Sequence, residues 1–190
     1  MFSYFWNTKK EVPQFDENDI TVSVAESVTA GAVCNIMCTE PGASSYFKGG
    51  VVTYSIASKK EILGIDTAYA ELNNHANAST TEAMARAVAK LYKSRFAIST
   101  TGYSLPYFRE ENKEKGECAL DIKEPYAIVC IYDCLKDQGV IHQKNFQYNP
   151  NKSNTLQKAD MQAITAIFAH KLYQERVDAI KAKNKLKDIK

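Results

Sequence analysis

The sequence predicts an α/β protein: a single three-layer α/β/α domain in which helices cover both faces of a mixed sheet. Two observations predict it. Over the first half of the chain, β-branched runs with strand-like alternation take turns with runs whose apolar residues recur at helical spacing, the pattern of parallel strands joined by crossover helices. Two later strand-like runs flank Lys136-Asp137-Gln138-Gly139, which reads as a hairpin turn and adds antiparallel pairing. A chain of 190 residues is long enough to bury a core without help from disulfides or a metal. The sequence shows no internal repeat and no second domain.

Residues 1–19 read as an irregular arm. Phe2, Tyr4, Phe5 and Trp6 crowd its start and Asp16, Glu17 and Asp19 its end, with no period, so its rings are expected to pack on the body or on a partner subunit. The domain proper is expected over 20–175, with a basic tail over 176–190. Residues 20–24 alternate apolar and polar types and read as a strand. Val28, Ala32, Val33, Ile36 and Met37 then recur at helical spacing, which places a helix from about Ser27 to a stop at Glu40-Pro41-Gly42. Gly49-Gly50 leads into a strand at 51–54, the paired glycines marking a bend or a close backbone approach. Short helices are expected at 57–64 and 67–72.

Ser79-Thr80-Thr81-Glu82 reads as a capping box for a helix with Met84, Ala87, Val88 and Leu91 on its inner face. Residues 96–100 return as a strand ending in Thr101-Gly102. The polar segment 103–125 is long enough to be a flap over a site. Strands at 126–133 and 139–147 complete the sheet. A last helix over 153–176 is expected to turn Leu156, Met161, Ile164, Phe168 and Leu172 inward.

The net charge is +2, and six basic against two acidic residues from Arg176 onward leave the rest of the chain slightly acidic. That distribution offers no basic face for nucleic acid. With no membrane-length apolar run and no secretory start, the expectation is a cytoplasmic protein with no membrane partner. Five cysteines, an odd number, suit reduced thiols. Cys34 with Cys38 and Cys130 with Cys134 share a spacing, but no histidine stands at ligand spacing to either pair, so no metal is expected. His75, His142 and His170 fall in a loop, a strand and a helix away from any serine-bearing turn and read as ordinary histidines.

The chemistry-bearing stretch is Ala25-Glu26-Ser27-Val28-Thr29-Ala30-Gly31, where a strand hands over to a helix. The first N–H groups of such a helix lack internal partners and can hold an anion or an oxyanion beside the serine hydroxyl. Serine is also a favoured helix cap, and the turn alone leaves both readings open. A serine nucleophile needs a base. Lys59 follows Tyr54-Ser55 at the end of a strand, and if that strand neighbours the first, its amine projects toward the serine turn.

The run Ala25 to Gly31, then Glu40-Pro41-Gly42-Ala43-Ser44-Ser45-Tyr46-Phe47-Lys48-Gly49-Gly50-Val51-Val52-Thr53-Tyr54-Ser55, then Lys59 and Leu63-Gly64, resembles the CinA C-terminal-domain family over about residues 20–175. The resemblance implies an amidohydrolase that converts nicotinamide mononucleotide to nicotinate mononucleotide and ammonia, without a cofactor or metal. It implies Ser27 as nucleophile, Lys59 as its base and Tyr54 as the residue aligning them. Thr101 and Gly102 match the Thr-Gly that approaches the substrate. Gly49 and Gly50 fall in the same motif, and Thr29 and Gly31 with the helix amides would hold an oxyanion or phosphate. A homo-oligomer acting on a small nucleotide is also implied.

The departures fall on the pocket. Thr29-Ala30-Gly31 stands where the family has Thr-Gly-Gly, and Gly102-Tyr103-Ser104-Leu105-Pro106-Tyr107-Phe108 replaces a glycine-rich stretch. Bulky side chains there are expected to remodel the substrate wall. An arginine before the final helix is missing, with Lys152 as the nearby cation. Two readings follow: an amidohydrolase of the family type, or a nucleotide-binding protein or amidase with weakened or altered activity.

Overall fold

The structure, a computed structural model, describes residues 15–66, 74–109 and 120–187. The element order is β1 (Val22–Glu26), α1 (Ala32–Thr39), α2 (Ala43–Tyr46), β2 (Phe47–Val52), α3 (Ile56–Leu63), α4 (Ala78–Tyr92), β3 (Phe96–Tyr103), β4 (Tyr107–Arg109), β5 (Leu120–Ile122), β6 (Tyr126–Asp133), β7 (Gln138–Asn145) and α5 (Asn154–Lys187). Five strands form one sheet in the order β2-β1-β3-β6-β7. β1 is parallel to β2 and β3, while β3, β6 and β7 run antiparallel to one another in turn. The sheet is therefore mixed, as the sequence implies. β4 and β5 pair as a separate ribbon.

Strand alternation explains the three layers. Val22 and Val24, Phe96 and Ile98, and Val129 and Ile131 send their side chains to one face, where Val33 and Met37 of α1 and Ala169, Leu172 and Tyr173 of α5 close a core. Ala25, Ala97, Cys130 and Tyr132 face the opposite way, under Met84 and Val88 of α4 and Leu63 of α3. Central strands buried on both faces are what the apolar strand runs demand.

Several boundaries differ from the sequence expectation for local reasons. α1 starts at Ala32, because residues 27–31 form a turn with Ala30 and Gly31 at positive φ. β2 begins at Phe47, so the paired glycines lie inside the strand. α4 is capped by Asn77, whose side chain accepts from the Thr80 N–H at 2.8 Å, two residues before the expected Ser79. Leu91 on the same helix is exposed.

α5 continues to Lys187 and buries Met161, Thr165, Ala169, Leu172, Tyr173 and Val177, a single stripe at helical spacing. Leu156 and Ile164 sit off that stripe and are exposed, against expectation. The 103–125 segment contains the β4–β5 ribbon. Residues 1–14 of the aromatic arm and the helix expected at 67–72 lie outside the described residues. No helix among the described residues is long and apolar enough to cross a membrane.

Candidate active site

β1 delivers Ser27 to the end of the sheet and its own last residue shapes the turn that follows. The fully buried Glu26 carboxylate accepts from the N–H groups of Gly31 at 2.8 Å, Val33 at 3.2 Å and Cys34 at 2.8 Å. It thus caps α1 from inside the protein and takes up the amides expected to hold a ligand anion. Gly31 adopts φ +104°, a left-handed conformation that suits glycine. Ala30 adopts φ +51° with its side chain exposed, so the methyl meets no crowded backbone and its penalty is conformational, about 1 kcal/mol. Ser27 N–H donates to the Thr100 carbonyl at 3.0 Å, and Ala30 N–H to the Ser27 carbonyl at 3.2 Å. Among the described residues, the Val28 and Thr29 N–H groups take no partner, and they sit next to the serine.

The second half of the site comes from the neighbouring strand. β2 pairs with β1, and the chain leaves it through Thr53 and Tyr54 into α3, which Ser55 and Ser58 cap reciprocally. That tight entry folds Lys59 back beneath its own strand end. Its Nζ lies 3.0 Å from Ser27 Oγ, 2.7 Å from the Thr53 carbonyl and 3.4 Å from the Tyr54 carbonyl. Lys59 is 2% exposed and Ser27 8%. Among the described residues Lys59 has no carboxylate partner, and burial alone pushes its amine down from 10.5 to about 8.

A neutral amine has two N–H groups and one lone pair. With the two N–H groups given to the carbonyls, the lone pair is left for the Ser27 hydroxyl proton. Once it has lost its proton, around pH 8, Lys59 is placed to accept one from Ser27.

Beside this pair opens a cleft of about 340 Å³. Ser27, Val28 and Tyr54 form one side, and Thr101 and Gly102 the end of β3. Tyr103 to Tyr107 also line it, and His75 and Lys158 join from the segment before α4 and from α5. Of the residues singled out from sequence, Ser27, Lys59, Tyr54, Thr101 and Gly102 come together here. Tyr54 meets Lys59 through its carbonyl, while its side chain is 61% exposed at the rim. A Cβ on Gly102 would run into the Tyr126 carbonyl of β6. Its glycine serves a close strand approach as well as the cleft.

The remaining expected residues are engaged in the scaffold around the cleft, while the Thr29 N–H stays beside Ser27. Thr29 Oγ1 is bonded to Thr100 Oγ1 at 2.6 Å and buried. Gly31 serves the Glu26 cap, and Gly49 and Gly50 pack against Tyr92 and Cys34. Lys152 is paired with Asp160, so Lys158 is the lysine that reaches the cleft. His75 lines the cleft although its sequence position placed it away from the serine. Neither residue has a motif around it, and only the meeting of β3, α4 and α5 brings them to Ser27.

Comparison with known proteins agrees with this architecture. The profile of the CinA C-terminal domain matches residues 8–167. A CinA-like protein of Flavobacterium psychrophilum is 30% identical over 152 residues, covering 80% of this chain and 33% of its own. A nicotinamide-nucleotide amidohydrolase PncC of Shewanella oneidensis is 36% identical over 101 residues, 53% of this chain and 24% of its own. The chain thus spans about a quarter to a third of the length of these relatives. Among solved structures, the competence or damage-inducible protein of Enterobacter asburiae superposes with a TM-score of 0.62 at 18% identity, over 85% of this chain and 88% of that one. The competence/damage inducible protein CihA of Agrobacterium tumefaciens gives 0.62 at 20% identity, over 83% and 86%.

Proposed function

The chain belongs to the CinA C-terminal-domain family, and from that premise we propose that it is an amidohydrolase in which Ser27 and Lys59 hydrolyse the carboxamide of a nicotinamide nucleotide. The observation behind this reading is the 3.0 Å approach of Lys59 Nζ to Ser27 Oγ, with the amine's other bonds made to backbone carbonyls. Neutral Lys59 takes the Ser27 proton as Oγ attacks the amide carbon. The oxyanion forms beside the Val28 and Thr29 N–H groups. Lys59 then returns the proton to the leaving nitrogen, the C–N bond breaks, and ammonia departs from a Ser27 ester. Water attacks that ester, passing its proton to Lys59, which hands it to Ser27 Oγ as the acid leaves.

The named amidohydrolase among the relatives supports the nucleotide as substrate. Lys158, which lines the same cleft, supplies a cation for a phosphate.

The test is ammonia release from nicotinamide mononucleotide by the wild type, with Ser27→Ala and Lys59→Ala beside it. Release that is lost in both variants, with the fold intact by circular dichroism, is the expected result; full activity in either variant refutes the pair. The rebuilt wall at 103–107 favours one second reading, a binding protein with weakened catalysis. That reading predicts a rise in melting temperature with the nucleotide and no ammonia.

A further inference from the structure

Part of the cleft lining is a ladder of rings, and the inference drawn from it rests on the reading above for the identity of the reacting group. Tyr107 stacks on Tyr103 with centroids 5.3 Å apart and planes at 26°. Tyr103 in turn lies 5.9 Å from Tyr126 and 6.1 Å from His75. The base of the ladder is fixed: Tyr126 hydroxyl donates to the Ala76 carbonyl at 2.7 Å and accepts from Asn74 Nδ2 at 2.6 Å. The top is fixed through the backbone, since Tyr107 pairs with Ile122 in the β4–β5 ribbon and follows Pro106, whose φ is locked. Tyr107 is nonetheless 41% exposed. Tyr103 stacks on it from one side, and Tyr107 lines the cleft that Ser27 also lines.

A held aromatic face at a cleft is a platform for a flat ring, and the negative quadrupole of tyrosine favours a ring that is positively charged. Lys158 provides the opposite demand in the same cleft, for an anion. We propose that Tyr107, backed by Tyr103, is a specificity-determining residue that stacks on a planar cationic heteroaromatic ring whose anionic substituent meets Lys158. The ligand class is therefore a zwitterion with a flat cation at one end and a phosphate or carboxylate at the other. Open-chain amides and neutral rings are selected against. Recognition of the ring falls to side chains particular to residues 103–107, while the reacting amide is left to Ser27 and Lys59.

The test separates charge from size. Calorimetric dissociation constants are measured on the Ser27→Ala protein, where no turnover consumes ligand, for nicotinamide mononucleotide and for its 1,4-dihydro form, which has the same phosphate and a neutral ring. Tyr107→Leu is expected to weaken the oxidised nucleotide about tenfold and the reduced form no more than about twofold, while Tyr107→Phe keeps both within about twofold. Equal loss for both forms, no loss for either, or no binding of the oxidised nucleotide before mutation overturns the proposal. Ammonia release by the wild type is followed separately. Absent turnover with Tyr107-dependent binding contradicts the amidohydrolase reading alone, and turnover insensitive to Tyr107 contradicts the ring platform alone.

Discussion

The two sides of the cleft are built by opposite means. On the Ser27 side the serine and the lysine are buried while the Tyr54 ring is exposed: Glu26 caps α1 from within, Thr53 N–H donates to the Glu26 carbonyl at 2.7 Å, and the Thr53 carbonyl receives Lys59 Nζ at the same distance. A chain of backbone and buried bonds thus fixes the serine and lysine relative to each other. On the Tyr103–Tyr107 side the groups are half-buried rings stacked on one another, with Tyr103 and Tyr107 contributing surface rather than bonds. Reacting groups demand fixed distances and a low local dielectric. On the proposed reading, a recognition wall at 103–108 can be exchanged residue by residue without disturbing Ser27 and Lys59.

The largest expected effect tests the buried side directly. Ser27→Ala or Lys59→Ala lowers the rate of amide hydrolysis at least about thousandfold with little change in the circular dichroism spectrum. Glu26→Ala comes next. It strands the buried N–H groups of Gly31, Val33 and Cys34, and lowers unfolding free energy by about 4 kcal/mol in urea titration. A loss under about 1 kcal/mol there shows that the turn is held by other means.

The pH dependence of Lys59 is smaller but specific. The unfolded chain keeps this proton up to about 10.5 and the folded chain only to about 8. Between those values the unfolded state binds more protons, so stability rises with pH, the gain complete above 10.5 and lost as pH falls through about 8. Over that window the wild type gains up to about 3 kcal/mol relative to Lys59→Met, measured by denaturation at each pH. The same titration makes kcat/KM rise with pH to a plateau above about 8.

The smallest effects sharpen the open side. Lys158→Ala raises KM for the phosphorylated substrate about tenfold with kcat largely kept. Lys152→Ala, which breaks a surface pair with Asp160, changes stability by less than about 1 kcal/mol and leaves KM unchanged.

The same contrast explains what was legible in the sequence. The mixed sheet followed from strand alternation and the hairpin, and the approach of Lys59 to Ser27 followed once the strand before Lys59 was placed beside the strand before Ser27. These are features with local signatures. The start of α1 is not legible because helical apolar spacing begins at Val28, while the left-handed Ala30-Gly31 turn and the Glu26 cap that delay the helix are tertiary arrangements. The Asn77 cap is masked because Ser79 to Glu82 also satisfies a capping pattern. Apolar character alone points Leu156 and Ile164 inward, but the stripe of α5 that faces the sheet excludes both. His75 and Lys158 reach the cleft across sequence separations that no periodicity encodes.

The central claim is that Ser27 attacks the amide carbon with Lys59 as its base, and a rapidly quenched reaction with nicotinamide mononucleotide, digested and read by mass spectrometry, tests it most directly. The account predicts a peptide containing Ser27 heavier by the mass of the nicotinate mononucleotide acyl group, absent from the Ser27→Ala protein. Ammonia release with no adduct on that peptide, or with the adduct on another residue, contradicts it.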